Sequence, residues 1–418
     1  MIEHEIARVM QAGPPKRIVS KRAQERANMS IRLAKEAGLI HLYAQNNDIL
    51  GNTILLEGRS VVNFGWGGYL GLELDHRLID GAVDAVKRYG VQFASSRAYV
   101  SSPLYSVLEE KLHALFRQPV LIASTVTLGH QSCMPVAIGD EDVLILDASC
   151  HACMKEVVPS LASKGSTIAI LPHNDMNVLE QYLESNADRK IWYAMDGLYS
   201  MHGDFAPLST LADFLDRYPN FHLYIDDAHS MSWIGDQGTG FVFPLLSHHP
   251  RTIIALSMAK AYGAGGAIFL VPDAELRQSI RSFGSTMIFS GPIQNPVLGA
   301  CIASADIHLS GAVSELQDKL RAHIDYCNML LKLNDIGTVT ASSAPIFFVE
   351  IGSVGKTISA VSALIRRGYY VHAAAYPAVP RGKAGLRFNI TCLHTPDQIR
   401  DFIVSLADVL HHGVVGGL

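Results

Sequence analysis

Seven short apolar runs, most of them separated by helical stretches, constrain this chain more than any other feature of its sequence. They are PVLIAS (119–124), DVLILD (142–147), TIAILP (167–172), IWYAMD (191–196), HLYIDD (222–227), TIIALS (252–257) and AIFLVP (267–272). Runs of this length without polar alternation suit strands buried on both faces of a parallel sheet. The stretches MNVLEQYLESNA (176–187) and LSTLADFLDRY (208–218) carry helical spacing between them, which is the pattern of βαβ units. The last two runs lie close together, so one antiparallel member is expected there. The fold class is therefore α/β: a mostly parallel seven-stranded sheet flanked by helices.

The flanking segments extend this plan. Residues 16–45 are charged and helix-friendly, a strand signal covers 52–64, and GWGGYLGL (65–72) forms a glycine cluster. Helices are expected over 75–90, which ends on Gly90, and over 103–117. Residues 295–335 read as one long helix, followed by strands at 345–352 and 386–392 and helices at 357–367 and 396–411. The expected division is an arm (1–60), a large domain (61–294) and a small α+β carboxy-terminal domain (295–418).

Composition removes several functions. A net charge of -5 gives no basic footprint for nucleic acid. Mean hydropathy is high at +0.18, yet no run approaches the ~18 apolar residues of a spanning helix. The start, MIEHEIARVMQAG, lacks a signal-peptide core, so a soluble, cytoplasmic protein is expected. Cys150-His151-Ala152-Cys153 is an eye-catching spacing, but no second CxxC or HxxxH accompanies it. Inert thiols and no metal site are the expectation.

In parallel α/β sheets, ligands sit beyond the carboxyl ends of the strands. The fifth run ends in Asp226-Asp227-Ala228-His229, and the sixth leads to Met258-Ala259-Lys260 and the turn Gly263-Ala264-Gly265-Gly266. The second leads to Ser149-Cys150-His151, and the fourth to Gly197-Leu198-Tyr199-Ser200. An acid, a lysine, two histidines and a serine would meet on one rim. Pyridoxal phosphate needs such a set: a lysine for the Schiff base, an acid for the pyridine nitrogen, and hydroxyls and N–H groups for the phosphate. The acid matters because a protonated ring nitrogen makes the ring an electron sink.

Ordered motifs also match a family. YLGLELDH (69–76), SSR (95–97), HND (173–175), YSMHGDFAPL (199–208), DDAHSMSWIGDQGTG (226–240), SMAKAYGAGG (257–266) and LRFNITCLHT (386–395) resemble the α-oxoamine synthases, pyridoxal-phosphate enzymes of fold type I. The resemblance implies that Lys260 is the Schiff-base lysine, Asp226 the partner of the pyridine nitrogen and His229 a contact to the ring's phenolic oxygen. It implies that His151 stacks on the ring, that Ser200 and Ser257 touch the ring oxygen and the phosphate, and that Arg387 holds the amino-acid carboxylate. Ser290 would reach a neighbouring subunit's phosphate, since family sites lie at a homodimer interface. The phosphate loop aligns with Thr125, Val126 and Thr127. His173 is equally a core or a site residue, and the His pairs at 248–249 and 411–412 read as surface.

Three features depart from the family: Gly67 replaces an asparagine, Thr125-Val126-Thr127 replaces a glycine-containing loop, and Tyr105 replaces a histidine. The implied reaction condenses an amino acid with an acyl thioester, presented by coenzyme A or a carrier protein, with decarboxylation. The departures keep open another reaction of the same cofactor (an aldolase-like lyase, a transaminase or a decarboxylase). A non-catalytic descendant is disfavoured by intact Lys260, Asp226 and His229.

Overall fold

The computed structural model describes residues 21–49, 51–341 and 343–412. Its strands are, in chain order, β1 (Thr53–Leu56), β2 (Arg59–Asn63), β3 (Val120–Ala123), β4 (Val143–Asp147), β5 (Thr167–Leu171), β6 (Ile191–Asp196) and β7 (Phe221–Asp226). There follow β8 (Thr252–Ser257), β9 (Ala267–Leu270), β10 (Ile346–Gly352), β11 (Tyr369–Tyr370), β12 (His372–Ala374) and β13 (Ala384–Asn389). Each of the seven apolar runs lands on a strand, and β6 and β8 match theirs end to end.

Contacts gather the described residues into two compact units. The first comprises Leu72–Tyr199 and Phe205–Glu315, and the second the described residues up to Gly71, Ser200–Asp204 and those from Leu316 onward. This grouping differs from a linear division at 60 and 294, because β2 pairs in parallel with β11 and so joins the carboxy-terminal part. In the same unit, Gly203 at φ 72 lies so near β10 that an added Cβ would stand 2.5 Å from the Ile346 carbonyl.

The first unit holds the large sheet, ordered β3-β9-β8-β7-β6-β4-β5. All neighbours are parallel except at β9, which runs antiparallel to β3 and β8. Every residue of β4, β6, β8 and β9 is buried, because a core lies on each face. Val143, Ile145, Tyr193, Met195, Leu223 and Ile225 point to one core, while Leu144, Leu146, Trp192, Ala194 and Tyr224 point to the other. That is the period of two expected of strands. Each fully buried aliphatic side chain contributes about 1.5–3 kcal/mol, so a doubly covered sheet is a strong organiser.

The second unit carries two small sheets, β1-β2-β11 and the antiparallel β10-β13-β12. Its aromatic core stacks Phe64 between His394 and Phe402, at centroid distances of 4.2 and 4.1 Å. Among the described residues no single helix is long and apolar enough to cross a membrane.

Two elements differ from the sequence expectation. The strand signal at 52–64 is a hairpin, because Glu57 and Gly58 take φ 49 and 75, the left-handed pair that a tight hairpin turn requires. The single helix expected over 295–335 is two, Asn295–Leu309 and Val313–Leu333. Gly311, at φ 78, ends the first at a conformation that glycine reaches at little cost.

One close approach sets the position of the helix Val126–Ala137 on the sheet. A Cβ on Gly129 would lie 2.0 Å from the Phe269 ring of β9. Gly129→Ala should therefore cost about 1–3 kcal/mol through overpacking, read as a lower denaturation midpoint at unchanged denaturant slope.

Candidate active site

The carboxyl end of β7 presents two adjacent acids that the pleat sends in opposite directions. Asp227 points to the loop at 241–242, where its Oδ2 accepts the N–H groups of Phe241 and Val242, both at 3.0 Å. Its Oδ1 is buried without a partner, and burial raises its pKa to about 7. Asp226 turns to the opposite face. There Oδ2 accepts from His130 Nε2 at 3.0 Å, and Oδ1 accepts the Ala228 N–H at 3.1 Å. Burial alone would raise the Asp226 pKa, but the His130 hydrogen bond and the charge of Lys260 outweigh it and hold the group below the usual carboxylate range.

Asp226 stands beside Asp196, its register partner at the end of β6. Burial and the Asp226 charge push Asp196 well above the usual value. Two like acids on neighbouring strand ends thus divide into one ionised and one protonated group. Asp196 Oδ1 accepts the His151 N–H at 2.9 Å, and His151 caps the short helix Ala152–Lys155. The ring Nδ1 of His151 lies 2.8 Å from Cys153 Sγ, and desolvation followed by the charge of Lys260 lowers its pKa against the opposing pull of Asp226. At the end of β4, Asp147 binds His173 Nδ1 at 2.9 Å and the Tyr193 hydroxyl at 3.0 Å. His173 also meets the Tyr199 ring edge-on at 4.4 Å, which gives it an anchoring place on this rim.

Lys260 sits half-buried in the turn between β8 and β9, where the Gly263 N–H bonds its carbonyl at 2.9 Å. Its charge acts on Asp226, His151 and Asp196 together. Ser257 is buried at the end of β8, its Oγ accepting the Ala259 N–H at 3.2 Å. His229 is half-buried, and its carbonyl accepts from Trp233 Nε1 at 2.6 Å.

Thr125 is extended (φ -150, ψ 162), a conformation open to any residue, and its Oγ1 caps the helix by accepting the Leu128 N–H at 3.1 Å. The glycine of the family loop is thus dispensable here. The first N–H groups of this helix, those of Val126 and Thr127, have no intrahelical acceptor and suit an anion. Tyr105 is a core tether, its hydroxyl accepting the Ile293 N–H at 2.7 Å. Ser290 follows the helix Ser285–Phe289, whose Phe289 is 87% exposed.

Arg387 and Ser200 belong to the second unit. Arg387 Nε donates to the Ser200 carbonyl at 2.7 Å, and its guanidinium also bonds the Tyr69 hydroxyl. No acid is among its described partners. Gly67, also in this unit, has open space where a Cβ would stand, so packing does not impose glycine there.

The family model for aminotransferase class I and II matches residues 59–406. The chain belongs to that family. Within it, the 8-amino-7-oxononanoate synthase of Beijerinckia indica is 30% identical, over 90% of this chain and 94% of its own length. The enzyme of the same name from Alkaliphilus oremlandii is 29% identical, over 82% and 86%. Among solved structures, a serine palmitoyltransferase from S. paucimobilis with a bound PLP–myriocin aldimine superposes with a TM-score of 0.85, at 20% identity, over 96% of this chain and all of that one. The Sphingomonas wittichii serine palmitoyltransferase gives 0.83 at 21% identity, over 96% and 100%. The fold of this aminotransferase-family protein is thus fold type I, and its branch is the α-oxoamine synthases.

The residues present fit pyridoxal phosphate. A buried, ionised aspartate, a strand-end lysine and a capped helix end with N–H groups to spare lie on one sheet edge. His130 and Asp196 were not picked out from the sequence. A lone histidine in an apolar stretch gives no signal, and only the strand-end position of Asp196 marked it.

Asp227 yields a pH prediction. Its folded pKa lies above the unfolded value, so folding takes up a proton between 3.8 and about 7, and stability falls as pH rises through that window. Thermal melts of Asp227→Asn at pH 4.5, 5.5 and 7 should lose this downward slope.

Proposed function

We propose that this protein is a pyridoxal-phosphate-dependent acyltransferase that joins an amino acid to an acyl thioester, with loss of carbon dioxide, to give an α-amino ketone. The observation that carries the reading is buried Asp226 at the end of β7 with the charge of Lys260, from the turn after neighbouring β8, acting on it, within a chain akin to 8-amino-7-oxononanoate synthases. Bound pyridoxal phosphate supplies an electron sink for the bonds at the amino acid's α-carbon.

The chain's own residues do the rest in this proposal. Lys260 anchors the cofactor and, once released, moves the α-proton as general acid and base. Asp226 holds the proton on the ring nitrogen, His229 touches the phenolic oxygen and His151 covers the ring face. With its backbone N–H held by Asp196 and its ring Nδ1 beside the Cys153 thiol, His151 would polarise the thioester carbonyl. Ser200 takes the ring oxygen, while Thr125, Val126, Thr127 and Ser257 take the phosphate. Arg387 binds the amino-acid carboxylate, which suits a guanidinium with N–H groups to spare and no acid partner of its own.

A cytoplasmic homodimer is part of this proposal. Tyr99 (96% exposed), Phe289 (87%) and Phe283 (75%) form apolar surface that a monomer gains nothing by exposing. The Ser96 hydroxyl, donating to the Ile288 carbonyl at 2.5 Å, ties the loop that bears Tyr99 to the helix that bears Phe289. Ser290 would then serve the partner subunit's phosphate.

Lys260→Ala should abolish amino-acid-dependent release of free thiol from acyl thioesters, by at least about 10³-fold. Turnover of an amino acid by the wild-type enzyme without any acyl thioester would instead favour a lyase, a transaminase or a decarboxylase. Gly67→Asn should leave stability within about 0.5 kcal/mol, because the space is open, and should change the KM for the amino acid.

A further inference from the structure

The strand period places Tyr224 and Asp226 one pleat apart on the same face of β7, and the helix Val126–Ala137 lays one side chain across both. His130 is fully buried. Its Nδ1 lies 2.8 Å from the Tyr224 hydroxyl and its Nε2 lies 3.0 Å from Asp226 Oδ2. The ring edge of Phe269 packs against it at 5.7 Å and 89°, so the imidazole has no freedom to turn away. Gly129, just before it, lets the helix come this close.

The hydrogen-bond directions follow from the partners. Ionised Asp226 can only accept, so Nε2 carries the proton of a neutral imidazole, and Nδ1 is left to accept from the Tyr224 hydroxyl, which burial keeps protonated. Asp226 is then fixed at both oxygens, by His130 at Oδ2 and the Ala228 N–H at Oδ1. A third group, the Cys153 thiol, lies 3.8 Å from Oδ2. His130, Cys153 and Asp226 offer atoms within 4.8 Å of one another, but burial keeps the Cys153 thiol protonated, and hydrogen bonding accounts for the cluster without a metal.

We propose that His130, backed by Tyr224, is the positioning residue that orients Asp226 and keeps it ionised toward the cofactor's ring nitrogen. This rests on Asp226 meeting that nitrogen, as in the proposed function. A carboxylate that accepts a hydrogen bond from behind has a lower proton affinity. The proton shared with the ring therefore stays on the ring, where it makes the electron sink. The other titratable groups interacting with Asp226 are Lys260, His151, Asp196, Asp227, Cys153 and Cys150, and all are unchanged in the variants below, so a transition that Asp227 contributes is common to every protein compared.

The test compares His130→Leu, which removes the donor, with His130→Gln, whose amide nitrogen can take the place of Nε2. Apo-protein is titrated with pyridoxal phosphate, and the visible absorption of the bound cofactor is then followed from pH 5 to 10. A hydrogen bond to a charged group predicts about 10–100-fold weaker binding in His130→Leu, together with a displaced pH transition. His130→Gln should come within about threefold of wild type, and Tyr224→Phe should move the transition in the same direction by less. His130→Leu with wild-type affinity and pH transition would overturn the proposal. So would His130→Gln as weak as His130→Leu, since that marks a role in packing alone. If His130→Leu does not fold, an unmoved transition in Tyr224→Phe overturns it. Wild-type protein that binds no pyridoxal phosphate would instead defeat the proposed function itself.

Discussion

A carboxylate buried at the end of a central strand has to be compensated, and much of the first unit is arranged around that need. Asp226 is 5% exposed, in surroundings where an isolated charge would be neutralised rather than kept. Burial alone would raise its pKa, and burial together with the Asp226 charge does so for its neighbour Asp196. The donors on Asp226 decide otherwise: His130 from the helix Val126–Ala137, the Ala228 N–H, and the positive charge of Lys260 from the turn after β8. Removing any of these shifts the balance between the two acids, so helix, sheet and turn are coupled through one side chain.

That coupling links packing to chemistry. Gly129 allows the helix to lie close against β9, the close helix brings His130 over Tyr224 and Asp226, and the same helix begins with Thr125, whose cap leaves N–H groups free for an anion. One element thus offers N–H groups without intrahelical acceptors at its first turn and a buried donor one turn later. The parallel register of β6, β7 and β8 brings Asp196, Asp226 and the Lys260 turn to one edge, as open α/β sheets do with their ligand sites.

Much of this was legible in the sequence. Strands buried on both faces show as unbroken apolar runs, so all seven were located, and the residues after them led to Lys260, Asp226, His229 and His151. What was missed has physical causes. β11 and β12 have two and three residues, too few for any periodicity, and they depend on pairing with distant β2 and β13. The hairpin turn Glu57-Gly58 has only one glycine to mark its two left-handed residues, and a single glycine, Gly311, breaks the helix read as continuous over 295–335. Nothing in the sequence marks His130, since its partners come from a strand more than ninety residues away. The Thr125 loop looked compromised by the loss of glycine, but its extended backbone has no need of one.

The central claim is that the edge formed by β6, β7 and β8 holds pyridoxal phosphate through Lys260. Borohydride reduction of the cofactor-loaded protein, followed by peptide mass spectrometry, tests it most directly. A phosphopyridoxyl label on the peptide that carries Lys260 is the predicted result, whereas an unlabelled Lys260, or a label confined to another lysine, would contradict it.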